Sequence, residues 1–314
     1  MSSTLILLSA IGYLHAAFPN DEYYPSKQKR YFEAIRVPDA WKYVEGMPRK
    51  YKTIAIIDSG MQSSHLDLRA NAVRGYNVID KNNDTHDRLG HGTAVAGVAG
   101  AVINNRVGVA GITDYVKLMP IYDGPEELDE DIAASIDHAV YAKADVILLA
   151  AGREAVPFTD DVIAAIERAS KADIPLVCPS GNDGWDITKP GKELYPCMYA
   201  KTMPGVICVA ATSEDSMNLH PLSSYAFFVD VAAPGDVYTT MIYDEYGSAS
   251  GTSGAAAIVA GVVALMKSVS PKHLTVQEIK SIIKQTSTPG VVKNKLPMLF
   301  GRLNALSAVR RVIR

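Results

Sequence analysis

The sequence predicts an α/β fold in which a mostly parallel central sheet is flanked by helices in three layers. Apolar runs of strand length alternate with helix-period patterns across most of residues 48–268. That order favours a parallel sheet covered on both faces. At 314 residues, 48% of them hydrophobic, a folded chain buries roughly three quarters of its extended surface without metals or staples. No repeat or low-complexity linker interrupts the pattern, so residues 20–314 are expected to form a single domain.

Residues 1–19 are set apart as a signal-like or N-terminal extension. The apolar stretch 5–17 reads either as a short secretory h-region, though no Lys or Arg precedes it, or as a packed first segment. It is too short and interrupted for a membrane span. Thr53 to Ile57 then forms a buried strand that ends in a turn at Asp58, Ser59 and Gly60. Residues 92–103 are helical. Val116 to Ile121 and Val146 to Leu149 are strands, and between them Ile132, Ile136 and Val140 stand four apart on a helix. The acidic run from Glu126 to Asp131 suits the start of that helix, where the dipole favours negative charge. Val162 to Ala169 adds a helix, and 175–178 and 205–210 add strands. The segment from Ala255 to Leu265 is almost wholly apolar, which predicts a helix through the protein centre. Thr275 and Glu278 are spaced for a capping box on a helix reaching about Lys284, and 305–313 closes the chain as a short helix.

Charge and composition exclude several functions. Lys+Arg number 31 against 34 Asp+Glu, a formal net charge of −3. No basic face for nucleic acid or anionic membrane follows from that balance. No His/Cys cluster has zinc spacing, and His65 and His86 are ligands by proximity alone. The three cysteines are either small buried hydrophobes or, if their strands adjoin, include a Cys178–Cys208 bridge.

In a parallel sheet, functional groups gather at the carboxyl ends of strands. Asp58 follows one predicted strand and Asn182 another, while His91 and Ser253 stand just ahead of predicted helices. Serine is a weak nucleophile at neutral pH and needs a base, which in turn needs an orienting carboxylate. Asp58, His91 and Ser253 supply those three groups. Taken singly they also read as a turn cap, a satisfied core histidine and a helix cap.

The surrounding segments select between these readings. Ile56-Ile57-Asp58-Ser59-Gly60, Gly90-His91-Gly92-Thr93 and Gly251-Thr252-Ser253 resemble the three active-site blocks of subtilisin-like serine endopeptidases, in the same chain order. The resemblance covers about Asn20 to Ile313. It implies the subtilisin-like fold and hydrolysis of protein peptide bonds through a Ser acyl-enzyme. Asp58 is then the orienting acid, His91 the general base and acid, and Ser253 the nucleophile. In Pro179-Ser180-Gly181-Asn182-Asp183-Gly184 it implies the oxyanion-hole asparagine at Asn182, with Gly181 beside it on the substrate path. The substrate strand maps to Ala150, Ala151 and Gly152, where the usual Asn and Ser-Leu-Gly are altered; the backbone role survives such changes because strand addition uses main-chain hydrogen bonds. Gly254 to Ile258 likewise lacks the Met, Pro and His usual after the nucleophile.

The resemblance implies no cofactor for the chemistry but a structural calcium. Its expected ligands are Asp21, Asp67, Asn105 and backbone carbonyls around Ile103, Val107 and Val109. Expected partners are protein or peptide substrates and an inhibitory propeptide or protein inhibitor, in a secreted or secretory-pathway setting. The altered blocks leave a second reading, a catalytically impaired protein-binding module of the same fold. The G-x-S-x-G elbow of lipases and esterases is absent around Ser253.

Overall fold

The computed structural model describes residues 19–314 apart from Glu127; the expectations for residues 1–18 lie outside the described residues. The strands in chain order are β1 (Lys52–Asp58), β2 (Tyr76–Asn77), β3 (Val116–Tyr122), β4 (Val146–Leu149), β5 (Arg153–Glu154), β6 (Leu176–Pro179), β7 (Leu194–Tyr195), β8 (Val206–Thr212) and β9 (Val231–Pro234). Seven of them form one sheet in the order β2-β3-β1-β4-β6-β8-β9, and every pair in it is parallel. A parallel pair needs a crossover, and helices supply it.

Strand alternation decides which residues meet which layer. In β1, Ile54 and Ile56 enter one core and Ala55 and Ile57 the other, as a period of two requires. The first core is covered by α3 (His91–Gly100) and α6 (Thr252–Val269), the second by α4 (Asp129–Tyr141) and α5 (Asp160–Lys171). The predicted acidic helix start is the first turn of α4, which carries Asp129, Glu130 and Asp131. Ile132 and Ile136 on α4 and Val162 and Ile166 on α5 face the sheet.

The central helix is α6. It is long and apolar enough to cross a membrane, yet 89% of it is buried inside the protein. At 1.5 Å per residue its eighteen residues span about 27 Å, from the functional edge of the sheet to the opposite one. Behind it lie α7 (Val276–Thr286), which opens on the expected Thr275–Glu278 capping box, and α8 (Ala305–Ile313).

Three features depart from the sequence reading. The N-terminal helices α1 (Lys29–Ala34) and α2 (Val37–Val44), the strand β9, and the hairpin of β10 (Asp236–Met241) and β11 (Glu245–Ser250) carry weak local signals. β9 reads Val-Ala-Ala-Pro and is a strand because β8 pairs with it, Ala210 against Ala232. His91 and Ser253 lie inside their helices rather than ahead of them. Finally, the disulfide joins Cys197 to Cys208, leaving Cys178 as the free buried thiol. Cys178 and Cys208 are register partners, as a bridge between them would need. A 3-10 turn at Cys197–Lys201 instead brings Cys197 onto Cys208, and burial raises the Cys178 thiol pKa far above its usual range.

Candidate active site

The sheet brings the sequence-selected residues to one edge. Ile57 pairs with Leu149, so Asp58 and Ala150 follow side by side where β1 and β4 end, about 5 Å apart as neighbouring strands are. Asp58 is buried, and its two oxygens lie 2.9 and 2.8 Å from His91 Nδ1. The His91 side chain is 47% exposed. A carboxylate on Nδ1 holds the proton there and leaves Nε2 as the basic nitrogen. Next door, Ser253 Oγ donates to the Ala150 carbonyl at 3.0 Å. Asp58 therefore fixes His91, and Ala150, its neighbour across the sheet, fixes the serine hydroxyl.

The donors for a developing oxyanion come from the same edge. Asn182 is exposed four residues beyond Cys178, and its Oδ1 accepts from Thr252 N–H at 2.8 Å and Thr252 Oγ1 at 3.0 Å. With the oxygen so occupied, the amide Nδ2 is the group left to face a substrate. Ser253 lies in the first turn of α6, where backbone N–H groups lack helical partners and the dipole favours negative charge. Gly251 makes the approach feasible: its φ is +142°, and a Cβ there would sit 3.1 Å from Asn182 Oδ1.

The substrate residues lie along this edge. Ala150 is buried and Ala151 half-buried just past β4, while Gly152 lies against the Tyr195 backbone of β7. The buried Gly181 takes a weak contact from its N–H to Thr252 Oγ1 at 3.3 Å, and its carbonyl accepts from Ser224 N–H. Past the serine, Val237 fills the space beside Gly254, 3.2 Å from where a Cβ would stand, and Ala257 and Ile258 are fully buried. Of the departures from the resembling family, Ala257 and Ile258 are packed into the core, while Ala151 and Gly254 are half-buried and Gly152 is exposed at the edge.

Sequence reasoning missed Ser59, Asp87, Thr93 and Thr252. Asp87 is 1% exposed. Its Oδ1 accepts from Ser59 Oγ, Leu89 N–H and Gly90 N–H at 2.9, 3.0 and 2.7 Å. Its Oδ2 accepts from Thr93 N–H and Oγ1 at 2.8 and 2.7 Å. Burial alone would raise its pKa, but these bonds outweigh burial and hold it below the usual value. Ser59 Oγ also lies 3.1 Å from Asp58 Oδ1 and accepts from Gly92 N–H. Gly92 itself cannot carry a side chain, because a Cβ would fall 1.9 Å from the Gly60 carbonyl oxygen. The signal available was Asp87's place four residues before His91, but Asp80 and Asp84 in the same loop look no different in sequence.

The proposed calcium residues also come together. Asp67 is fully buried; it accepts from Asn105 Nδ2 at 2.7 Å and Val109 N–H at 2.8 Å. Asp21 is 1% exposed and accepts from the backbone N–H groups of Asn104 and Asn105. Burial first, with the nearby Asp21 charge adding to it, pushes Asp67 up to about 7. Two adjacent buried carboxylates with hard oxygen donors suit a calcium ion. The Asn105 amide would have to turn its oxygen inward, giving up the bond Oδ1 accepts from Val107 N–H. Ile103 is half-buried in the same loop. Among the described residues no group of three or more His, Cys, Asp or Glu side chains assembles for a metal. His65 is a satisfied core residue: Nδ1 accepts from Asp67 N–H and Nε2 meets the Glu245 carbonyl.

Known proteins share both sequence and fold with this chain. The family described as the subtilase family matches residues 49–302. Thermitase of Thermoactinomyces vulgaris is 33% identical over 300 residues, covering 93% of this chain and 99% of thermitase. The thermophilic serine proteinase of Bacillus sp. strain AK1 is 32% identical over 297 residues, covering 93% of this chain and 69% of that protein. A solved structure described as proteases from Pseudoalteromonas arctica PAMC 21717 superposes with a TM-score of 0.80 at 27% identity, covering 94% of this chain and 99% of the other.

Proposed function

Because the chain belongs to the subtilase family and is a subtilisin-like serine endopeptidase, we propose that Ser253 is its nucleophile, His91 the general base and acid, Asp58 the orienting acid and Asn182 an oxyanion donor. The reading of a protein-binding module without turnover gives way to that membership. The observation that carries the assignment is the paired contact of Asp58 with His91 Nδ1 at 2.8 and 2.9 Å, one strand position from the carbonyl that holds Ser253 Oγ.

The reaction runs as a proton relay and two acyl transfers. Ser253 Oγ turns from the Ala150 carbonyl toward His91 and gives its proton to Nε2 as it attacks the scissile carbon. That rotation frees the Ala150 carbonyl to accept a substrate N–H. The carbonyl π electrons move onto oxygen, where Asn182 Nδ2–H and Ser253 N–H donate to the new negative charge. Collapse breaks the C–N bond, and the proton on His91 passes to the leaving amine. Water then attacks the acyl-enzyme ester; His91 takes a proton from it and returns one to Ser253 Oγ. Asp58 stabilises the imidazolium in both halves without taking its proton.

An extended substrate segment lies along Ala150, Ala151, Gly152 and Gly181, bonded through main chain; an inhibitory propeptide or protein inhibitor would use the same edge. A calcium ion held by Asp21, Asp67, Asn105 and the 103–109 loop carbonyls would neutralise the paired carboxylates and stiffen that loop, with no part in the chemistry. A secreted setting is supported by the Cys197–Cys208 bridge, since disulfides persist in oxidising compartments. A peptide-library digest beside a Ser253→Ala variant tests the assignment. Cleavage confined to the intact enzyme supports it, whereas equal cleavage by both overturns it.

A further inference from the structure

We propose that Asp87 is a positioning residue for catalysis: by gathering the backbone on both sides of His91, it sets the imidazole against Asp58. The inference rests on the triad assignment above. Asp87 touches no reacting atom. What it does touch is the backbone on both sides of His91. Its carboxylate accepts from Leu89 and Gly90, immediately before the histidine, and from the Thr93 backbone and hydroxyl, two residues after it. Gly92, between them, is tied to Ser59 Oγ, which is itself bonded to Asp87 and lies 3.1 Å from Asp58. All five donors that Asp87 has among the described residues are neutral groups, so its charge is spread over the loop by hydrogen bonds.

A burial of this kind is costly unless the geometry is used. Gly90 has φ +87° and its N–H is held by Asp87 Oδ1 at 2.7 Å, so the loop's left-handed turn before the helix is tied to that carboxylate. On the other side, Thr93 Oγ1 accepts from Gln62 N–H, and the Thr93 carbonyl accepts from Thr240 Oγ1. The first turn of α3 is thereby clamped from β1's loop, from β10 and from Asp87.

Asp87→Asn separates positioning from mere support. Asn keeps one acceptor oxygen for the Ser59, Leu89 and Gly90 donors but turns an amide N–H2 toward the Thr93 N–H, two donors facing each other. Activity is measured per active site, counted by stoichiometric labelling with a serine-directed phosphonate. We expect kcat to fall roughly 10- to 100-fold with KM within about threefold, as misplacement of a catalytic group does. A variant with lowered Tm but per-site kcat and KM both unchanged would assign Asp87 to folding alone and overturn the proposal. If Asp87→Asn does not fold, Ser59→Ala decides: it cuts the link between Asp87, Asp58 and Gly92, and per-site kcat equal to the intact enzyme's would overturn the proposal. Loss of all labelling and turnover in the unsubstituted enzyme would instead count against the triad assignment on which the inference stands.

Discussion

Replacing Asn182 by Ala and by Asp pulls apart two jobs that one side chain performs. Its Oδ1 accepts from Thr252 N–H at 2.8 Å and Thr252 Oγ1 at 3.0 Å, so it caps the start of α6. Its Nδ2 is assigned to the oxyanion. Asn182→Ala removes both. Loss of one oxyanion donor is worth about 3–4 kcal/mol, a fall of roughly 10²–10³ in kcat. Loss of the cap is worth about 1 kcal/mol of stability, or about 2 °C in Tm for a chain of this size. Asn182→Asp keeps an acceptor for Thr252 and adds negative charge at a helix N-terminus, which is stabilising by a few tenths of a kcal/mol or more. The same charge opposes the oxyanion. The Asp variant should therefore hold its Tm while losing at least as much kcat as the Ala variant. Tm is read in a Ser253→Ala background to prevent self-digestion, and kcat on a peptide substrate per titrated site. An Asp variant retaining kcat within tenfold would refute the donor role.

Three further outcomes follow from the same structure. The Cys197–Cys208 bridge spans a sequence separation of 11, so reducing it, or Cys208→Ala, should cost about 3 kcal/mol by the chain-entropy relation; an unchanged Tm under reductant would refute that. Chelation followed by thermal unfolding should lower Tm if calcium sits at Asp21 and Asp67, with metal analysis returning about one calcium per chain; unchanged stability and no calcium would reject the site. Asp87 is held below its usual pKa, with burial opposing and the Thr93, Gly90 and Ser59 bonds prevailing. A depressed carboxylate stabilises the fold above its unfolded value, near 3.8, and that contribution fades as pH falls through the lower folded value. Below about pH 4 the Tm of Asp87→Asn should therefore fall less steeply than that of the intact protein; parallel curves would contradict this.

Much of the fold was legible because parallel strands buried on both faces are written as apolar runs. β1, β3, β4 and β8 each sit within two residues of the predicted bounds, and the apolar segment at 255–265 is the core of α6. The capping box was legible because its chemistry is local. What failed to show depends on partners distant in sequence. β9 is a strand through its pairing with β8. The hairpin of β10 and β11 is held on α3 by Thr239 and Thr240, whose hydroxyls donate to Ala94 and Thr93 carbonyls. Cys197 wins Cys208 because of a turn that spacing does not encode.

The site divides along the same line. Asp58, His91, Asn182 and Ser253 stand in short glycine-bounded blocks that are weak singly but specific in combination and order, so they could be picked out together. Asp87 could not, because its role comes from five donors spread between residues 59 and 93. Nor could Thr252, whose backbone orients Asn182 across 70 residues of chain.

A serine-directed phosphonate, followed by peptide mapping and repeated on His91→Ala, asks most directly whether a hydroxyl on α6 is activated from β1 and α3. The label should fall on Ser253 alone in the intact enzyme and slow by several orders of magnitude once the imidazole is gone. Labelling at another serine, or at Ser253 with equal speed in both proteins, would contradict the account.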